Sequence, residues 1–243
     1  MSFKDLIRKY PTIYNVLKEG YYGIRKIFES DIFGTRFQEW VWSKKHWFTG
    51  QKWLQEYFNS LDHPHRRLLI EEIGLITAQG KVMEVGCNIG VNLYLLSKHF
   101  SFEKLIGIDI NPSAIKIGRK WLKEKGIKNV ELRVGKADEV DKFEENDFDV
   151  VFTDATLMYI GPDKIEKVIE GIYSVAGKGV VFVEWHKEGV KDFYYDGHWV
   201  RDYGKLLEKF VSGDSLYFKK IPAEVWGGGW EEYGWIIRAH FHK

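Results

Sequence analysis

The stretch "KVMEVGCNIGVNLYLLSK", Lys81 to Lys98, restricts the fold more than any other in the chain. A β-branched run ends in an acid, crosses closely spaced glycines and becomes an apolar stretch with helical character. A strand that turns at once into a helix brings its carboxyl edge and the helix N-terminus to one point, where a ligand can meet bare main chain. The alternation then continues. "KLIGIDI", "VELRV", "FDVVFT" and "GVVFVEW" read as short apolar strands. "PSAIKIGRKWLKEKG" reads as a helix opened by Asn111-Pro112 and stopped by Gly126, and "PDKIEKVIEGIYSVAG" and "DYGKLLEKFV" read as further helices. Two closing strands, near "LYFKKIPAEVW" and "GWIIRAHF", have only Gly227-Gly228-Gly229 between them and are expected to pair antiparallel. Such alternation dictates an α/β fold: a doubly wound, mostly parallel sheet covered on both faces, with ligands at the carboxyl ends of its strands.

At 243 residues and 44% hydrophobic composition, the chain suits one domain with an extension. The expected division is a helical, aromatic-rich cap or arm over residues 1–60 and the α/β domain over 61–243. "SLDHPHRRLLIEEIGLI" should start the first helix of that domain, capped by Ser60 or Asp62, with Pro64 in the first turn. A net charge of +1 exerts no global pull on nucleic acid or an anionic membrane. Residues 1–50 nevertheless hold nine Lys/Arg against five Asp/Glu, interleaved with aromatics. That segment reads either as a cap packed on the domain or as an arm for peripheral membrane or partner contact. The single cysteine, Cys87, allows no intrachain disulfide and suits a cytoplasmic protein; beside a ligand loop it reads as a small packing residue. No run approaches the roughly 18 apolar residues of a membrane span, and the first residues carry no signal-peptide core.

Glu84, Gly86, Asn88 and Gly90 are spaced E-x-G-x-N-x-G. The dinucleotide fingerprint G-x-G-x-x-G fails at two positions, and no Gly-Lys-Ser/Thr follows to make a phosphate loop. The acid Glu84 at the strand end suits a cationic group. Asp109, 25 residues later at the next strand end, suits the two hydroxyls of a ribose. An ammonium seat and a ribose seat with no phosphate site between them match S-adenosylmethionine.

"VMEVGCNIGVNL", "LIGIDINPSAIKIGRKWL", "NVELRVGKADEV" and "NDFDVVFTDATLMYI" resemble, in order and spacing, the motifs of the class I S-adenosylmethionine-dependent methyltransferases. The resemblance implies a seven-stranded sheet whose last strand inserts antiparallel, with S-adenosylmethionine as cofactor and S-adenosylhomocysteine as product. By position it implies that Glu84, Gly86, Asn88 and Gly90 line the methionine and ribose side. Asp109 would hold the ribose, Ile110 would pack on adenine, and Ala137 would offer its N–H to the ring. The family's usual acid before that alanine is Lys136 here, and Asp138 follows it instead.

Methyl transfer from a sulfonium is an in-line displacement, and a base is needed only where the acceptor loses a proton. The fourth and fifth strand ends supply the candidates: Thr153, Asp154 and Tyr159 from "TDATLMYI", and Glu184, Trp185 and His186 from "VEWHKEG". His186 is the expected general base, because an imidazole titrates near neutrality; Asp154 and Tyr159 are expected to contact cofactor or acceptor. "DHPHR", Asp62 to Arg66, can lie over the pocket. Its His63-x-His65 pair lacks a third ligand at convincing spacing, so no metal is expected. "FYYDGHWVRDYG" after the fifth strand suits a polar acceptor. The N-terminal segment resembles the leaders of methyltransferases of polysaccharide assembly, and the expected partner is a small-molecule or glycan acceptor. A tRNA or other nucleic-acid methyltransferase is one alternative, although its adenine- and cytosine-N-methylating relatives carry an Asn/Asp-Pro-Pro-aromatic loop where this chain has "DATLMY". A non-catalytic S-adenosylmethionine-binding regulator is the alternative from another class.

Overall fold

The structure, a computed structural model, describes residues 35–45, 52–241 and 243, with the side chains of 52–55 excepted. Most of the expected N-terminal arm, and with it the membrane-contact reading, lies outside the described residues. Helices α1 (Thr35–Ser43), α2 (Lys52–Asn59) and α3 (Pro64–Gly74) precede the sheet. There follow β1 (Gln79–Val85), α4 (Val91–His99), β2 (Ser101–Asp109), α5 (Pro112–Glu124), β3 (Val130–Val134) and β4 (Phe148–Asp154). The chain then runs through α6 (Ile165–Val175), β5 (Ala176–Trp185), the short strands β6 (Phe193–Tyr195) and β7 (His198–Val200), and α7 (Tyr203–Leu207). It closes with β8 (Leu216–Lys220), α8 (Gly229–Tyr233) and β9 (Gly234–His240).

Seven strands form one sheet in the order β3-β2-β1-β4-β5-β9-β8. The first five of that order are parallel, and β9 inserts antiparallel between β5 and β8. The expected architecture is therefore present. Each face of the sheet buries its own cluster. Leu69, Leu93 and Trp121 of α3, α4 and α5 cover one; Val168, Ile172 and Tyr203 of α6 and α7 cover the other. Burial of these apolar faces drives the layering at roughly 25 cal/mol per Å².

Local rules account for most boundaries. Asn111 caps α5 by accepting from the N–H groups of Ser113 and Ala114 at 2.9 and 3.1 Å, with Pro112 at the first helical position. Asp196 and Gly197, at φ 45° and 89°, make the tight turn of the β6–β7 hairpin. Three expectations need correction. His63, not Ser60 or Asp62, precedes α3, because the Ser60 hydroxyl donates to the Tyr57 carbonyl and accepts from Arg66 instead. β8 ends at Lys220, and a five-residue helix, α8, lies between the closing strands. The "DYGKLLEKFV" helix is only five residues long.

Candidate functional site

The order β3-β2-β1-β4 reverses direction between β1 and β4, which opens a crevice at the carboxyl tips of the strands. Glu84 on β1, Asp109 at the end of β2 and Asp154 at the end of β4 all line the cleft there. Asn92, in the first turn of α4, ties two of them together. Its Nδ2 donates to Glu84 Oε1 at 2.8 Å and to Asp154 Oδ2 at 2.9 Å. Arg66 Nη1 donates to Asn92 Oδ1 at 2.5 Å and to Asp154 Oδ2 at 3.3 Å. The Arg66 side chain is itself held by the Ser60 carbonyl at 2.8 Å and the Ser60 hydroxyl at 2.7 Å.

Asp154 also receives His65 Nε2 at 3.0 Å, and His65 Nδ1 lies 2.5 Å from His63 Nδ1. In the neutral pair the carboxylate selects the Nε2–H tautomer of His65. His65 Nδ1 then accepts from His63, which leaves the His63 Nε2 lone pair as the outer end of a relay. Trp226 packs on both rings, with centroids 4.2 Å from His65 and 5.1 Å from His63, and stacks flat on Trp230 at 3.8 Å.

The carboxyls of the cleft do not share one charge state. Burial pushes Glu84 up to about 8 and Asp109 up to about 6. Burial also opposes ionisation of Asp154, but His65, Arg66 and Asn92 outweigh it and hold that carboxyl well below its usual range. Glu84 Oε2 and Asp154 Oδ1 are buried and have no partner among the described residues. Two buried oxygens without partners, beside a cleft, leave hydrogen-bonding capacity that a bound ligand can meet.

Asp109 is aimed by main chain. Its Oδ2 accepts from the Asn88 N–H at 2.8 Å and its Oδ1 from the Asn111 N–H at 2.7 Å. Each oxygen keeps a lone pair for a hydroxyl. The turn that places the Asn88 amide needs Asn88 at φ 51° and Gly86 at φ 83°; a Cβ on Gly86 would lie 2.0 Å from Thr156 Oγ1. Ile110, Ala137 and Asp138 line the cleft beyond the ribose position. Asp138 pairs with Lys164 at 2.8 Å through Oδ2 and keeps a buried, unpartnered Oδ1.

The structure corrects two sequence-predicted positions. Gly90 does not line the cleft; it precedes α4 at φ 83°, where a Cβ would press on Leu132. His186 does not reach the cleft either. It is 4% exposed, stacks on Phe218, and its Nδ1 accepts from the Tyr203 N–H at 3.2 Å. Pairing continues past the end of β5, where the His186 N–H donates to the Tyr233 carbonyl at 2.8 Å. Strand alternation therefore turns this side chain away from the face that holds Trp185. Burial lowers its pKa. Tyr159 does line the cleft; its ring meets Trp42 edge-on at 4.7 Å, and its hydroxyl lies 3.1 Å from His198 Nε2.

Other expected mouth residues are structural. Thr153 is fully buried and donates to Glu184 Oε1 at 2.8 Å. Glu184 also accepts from the N–H groups of Thr156, Leu157 and Met158 at 2.9 to 3.0 Å, which fixes the loop after β4. Arg201, fully buried, donates to the Leu157 and Ile160 carbonyls at 2.9 and 2.7 Å. Asn92 escaped the sequence reading, although a lone polar residue inside the apolar run "VNLYLL" was its signal.

The residues present fit S-adenosylmethionine. Glu84 and Asp154 offer unpartnered oxygens for its ammonium, Asp109 offers a carboxylate for its ribose, and Ile110, Ala137 and Asp138 border the place left for its adenine. No described helix is long and apolar enough to cross a membrane, and among the described residues no cluster of three metal-ligating side chains occurs.

Comparisons with known proteins agree. Residues 76–236 match the family described as "Methyltransferase domain". An uncharacterized protein of Rickettsia prowazekii (strain Madrid E) is 23% identical over 157 residues, covering 58% of this chain and 62% of its own. A carboxy-S-adenosyl-L-methionine synthase of Campylobacter curvus is 28% identical over 143 residues, covering 58% and 59%. The chain thus spans about three fifths of these two relatives. Geranyl diphosphate C-methyltransferase of Streptomyces coelicolor A3(2), in complex with Mg2+, geranyl diphosphate and S-adenosyl-L-homocysteine, superposes with a TM-score of 0.58 at 10% identity. That match covers 74% of this chain and 78% of the other, and at such identity the likeness concerns the fold alone. Sheet order, strand-tip carboxylates and family match converge: the chain belongs to the class I S-adenosylmethionine-dependent methyltransferases.

Proposed function

We propose that this protein transfers a methyl group from S-adenosylmethionine to a small-molecule or glycan acceptor, at oxygen or nitrogen. The observation that carries the reading is the pair of unpartnered buried oxygens, Glu84 Oε2 and Asp154 Oδ1, beside the main-chain-aimed Asp109. Bound S-adenosylmethionine supplies an electrophilic methyl group on a sulfonium. The chain's own residues bind, orient and dry the site. Glu84 and Asp154 hold the ammonium, and Asp109 holds the ribose. Arg66, His65 and Asn92 keep Asp154 ionised. Trp42 and Tyr159 wall the cleft against water. Alignment of this kind supplies roughly 7–11 kcal/mol toward a displacement.

In place of His186, the proposed proton acceptor when the nucleophile is a hydroxyl or a protonated nitrogen is the His63–His65–Asp154 relay, which borders the cleft through Asp154. Burial is the main cause that lowers the pKa of His63, and the Arg66 guanidinium adds to it, so its base form prevails at neutral pH. The single buried Cys87 supports a reducing, cytoplasmic setting.

The test is calorimetry with S-adenosylmethionine and S-adenosylhomocysteine, then incubation with labelled S-adenosylmethionine across sugars, lipid-linked glycans, small phenols, amines and tRNA. Label transfer to a small acceptor or glycan supports the reading; transfer only to tRNA, or binding without turnover, overturns it. The relative named carboxy-S-adenosyl-L-methionine synthase favours a second reading, in which the cofactor itself is the substrate. Mass spectrometry separates the two, since that reaction leaves a heavier S-adenosylmethionine derivative and no S-adenosylhomocysteine.

A further inference from the structure

Gln38 is a buried side chain whose hydrogen bonds are all still to be made. It sits on α1, is 3% exposed, and among the described residues neither its Nε2 nor its Oε1 has a partner. A primary amide carries two donors and one acceptor with two lone pairs, and folding rarely strands all of them. Gln38 also lines the cofactor cleft. A ligand bound in that cleft can supply the partners its amide lacks.

The helix that carries it is pinned on both sides of this residue. At its start, the Thr35 N–H and hydroxyl donate to Asp163 at 3.1 and 2.6 Å, and the Gly161 N–H donates to the Thr35 hydroxyl at 2.8 Å. One residue past Gln38, Glu39 accepts from Lys136 at 2.7 Å and from Lys164. Near its end, the Trp42 carbonyl accepts from Asn111 Nδ2 at 2.8 Å. These tethers reach the loops after β2, β3 and β4. Glu39 meets Lys136 immediately before Ala137 and Asp138, and Asp138 Oδ1 is another unpartnered buried oxygen among the residues that line the cleft.

We propose that Gln38 reads the amino edge of the cofactor's adenine, its Oε1 accepting from the exocyclic amine and its Nε2 donating to N7, with Asp138 Oδ1 taking the second amine hydrogen. A glutamine amide and an adenine edge match donor to acceptor in a bidentate pair. Hypoxanthine carries an oxygen where adenine carries the amine, so it sets an acceptor against both Gln38 Oε1 and Asp138 Oδ1. The pairing makes α1, together with the Asp138 segment, an element that discriminates the nucleobase, although α1 lies well outside the strand-tip motifs. This inference rests on the adenosyl-cofactor reading above.

The experiment is calorimetry on the full chain with S-adenosylhomocysteine and with its hypoxanthine analogue, S-inosylhomocysteine, comparing wild type, Gln38→Ala and Gln38→Leu, with a thermal melt of each unliganded protein. The wild type should prefer the adenine ligand by about tenfold or more. Both variants should bind S-adenosylhomocysteine at least several-fold more weakly, and their preference between the two ligands should shrink. The unliganded Gln38→Leu protein should melt no lower than wild type, because it buries no unsatisfied amide. An adenine preference in wild type that both variants keep unchanged overturns the assignment of Gln38 and leaves the cofactor reading standing. A wild type that binds neither ligand removes the cofactor reading, and the inference with it.

Discussion

His65 Nε2 and Asp154 Oδ2 meet at 3.0 Å although 89 residues of chain separate them, and both side chains are buried. Together with Arg66 they make Asp154 the permanently ionised carboxylate of the cleft. Asp154→Asn keeps the shape and removes the charge, which strands Arg66 beside a neutral amide. Breaking a buried charged network at one partner costs about 3–5 kcal/mol. The variant should therefore lose stability on that scale in denaturant titrations and bind S-adenosylhomocysteine at least about tenfold more weakly by calorimetry. Unchanged affinity would remove Asp154 from the ammonium seat.

Cofactor binding should release a proton. Glu84 is held up to about 8 by burial, so near pH 7 it is largely protonated, whereas an ammonium partner demands the carboxylate. Affinity for S-adenosylmethionine should rise from pH 6 to pH 8, by no more than about tenfold per pH unit. Calorimetry at pH 7 in buffers of different ionisation enthalpy should report close to one proton released. No buffer dependence would count against Glu84 as an ammonium partner.

The same carboxyls shape stability without ligand. Glu84 and Glu184 have folded-state values of about 8 and about 7 against an ordinary 4.5, both through burial. A raised carboxyl favours the folded state while it is protonated, so its contribution is complete below 4.5 and is lost as pH climbs through 7 and 8. Asp109, raised to about 6, follows the same sign at lower pH. His63 and His186, lowered by burial, act in the opposite direction, but only below 6.5. The melting temperature of the unliganded protein should therefore fall between pH 6.5 and 8.5, and Glu84→Gln should flatten the fall. A melting temperature that rises over this window would contradict the buried, protonated state of these acids.

Asp109→Ala removes the acceptor of the Asn88 and Asn111 amides along with the ribose partner. It should weaken S-adenosylhomocysteine binding by at least about 1 kcal/mol. Equal calorimetric affinity of variant and wild type would dismiss the ribose assignment.

The two histidine sites should separate cleanly. His186→Gln touches a buried contact with the Tyr203 amide and should cost about 1–3 kcal/mol of stability while leaving cofactor affinity intact. His63→Gln should leave stability and cofactor affinity close to wild type, yet slow transfer to a hydroxyl acceptor and abolish the acidic limb of its pH–rate profile. If His186→Gln alone alters that profile, the relay is not the base.

The chain's local chemistry determined the frame. Short apolar runs, the Asn111-Pro112 cap and the glycine turn after Glu84 act over a few residues, so strands, helices and the two acids at the tips of β1 and β2 are written in neighbouring letters. His186 shows where that legibility stops. It reads as a strand-end base, but continued pairing beyond β5 turns its side chain toward Phe218, and nothing nearby in sequence reveals which face it takes. The cleft's other partners are equally non-local. Arg66 meets Asn92 across 26 residues, and α1 is tied to Asp163 across 128. Periodicity reports only which side of its own element a residue occupies. Tertiary packing decided which elements face each other, because burial of whole faces, rather than any single pair, sets their positions, and it thereby settled which buried polar atoms found partners and which were left for a ligand.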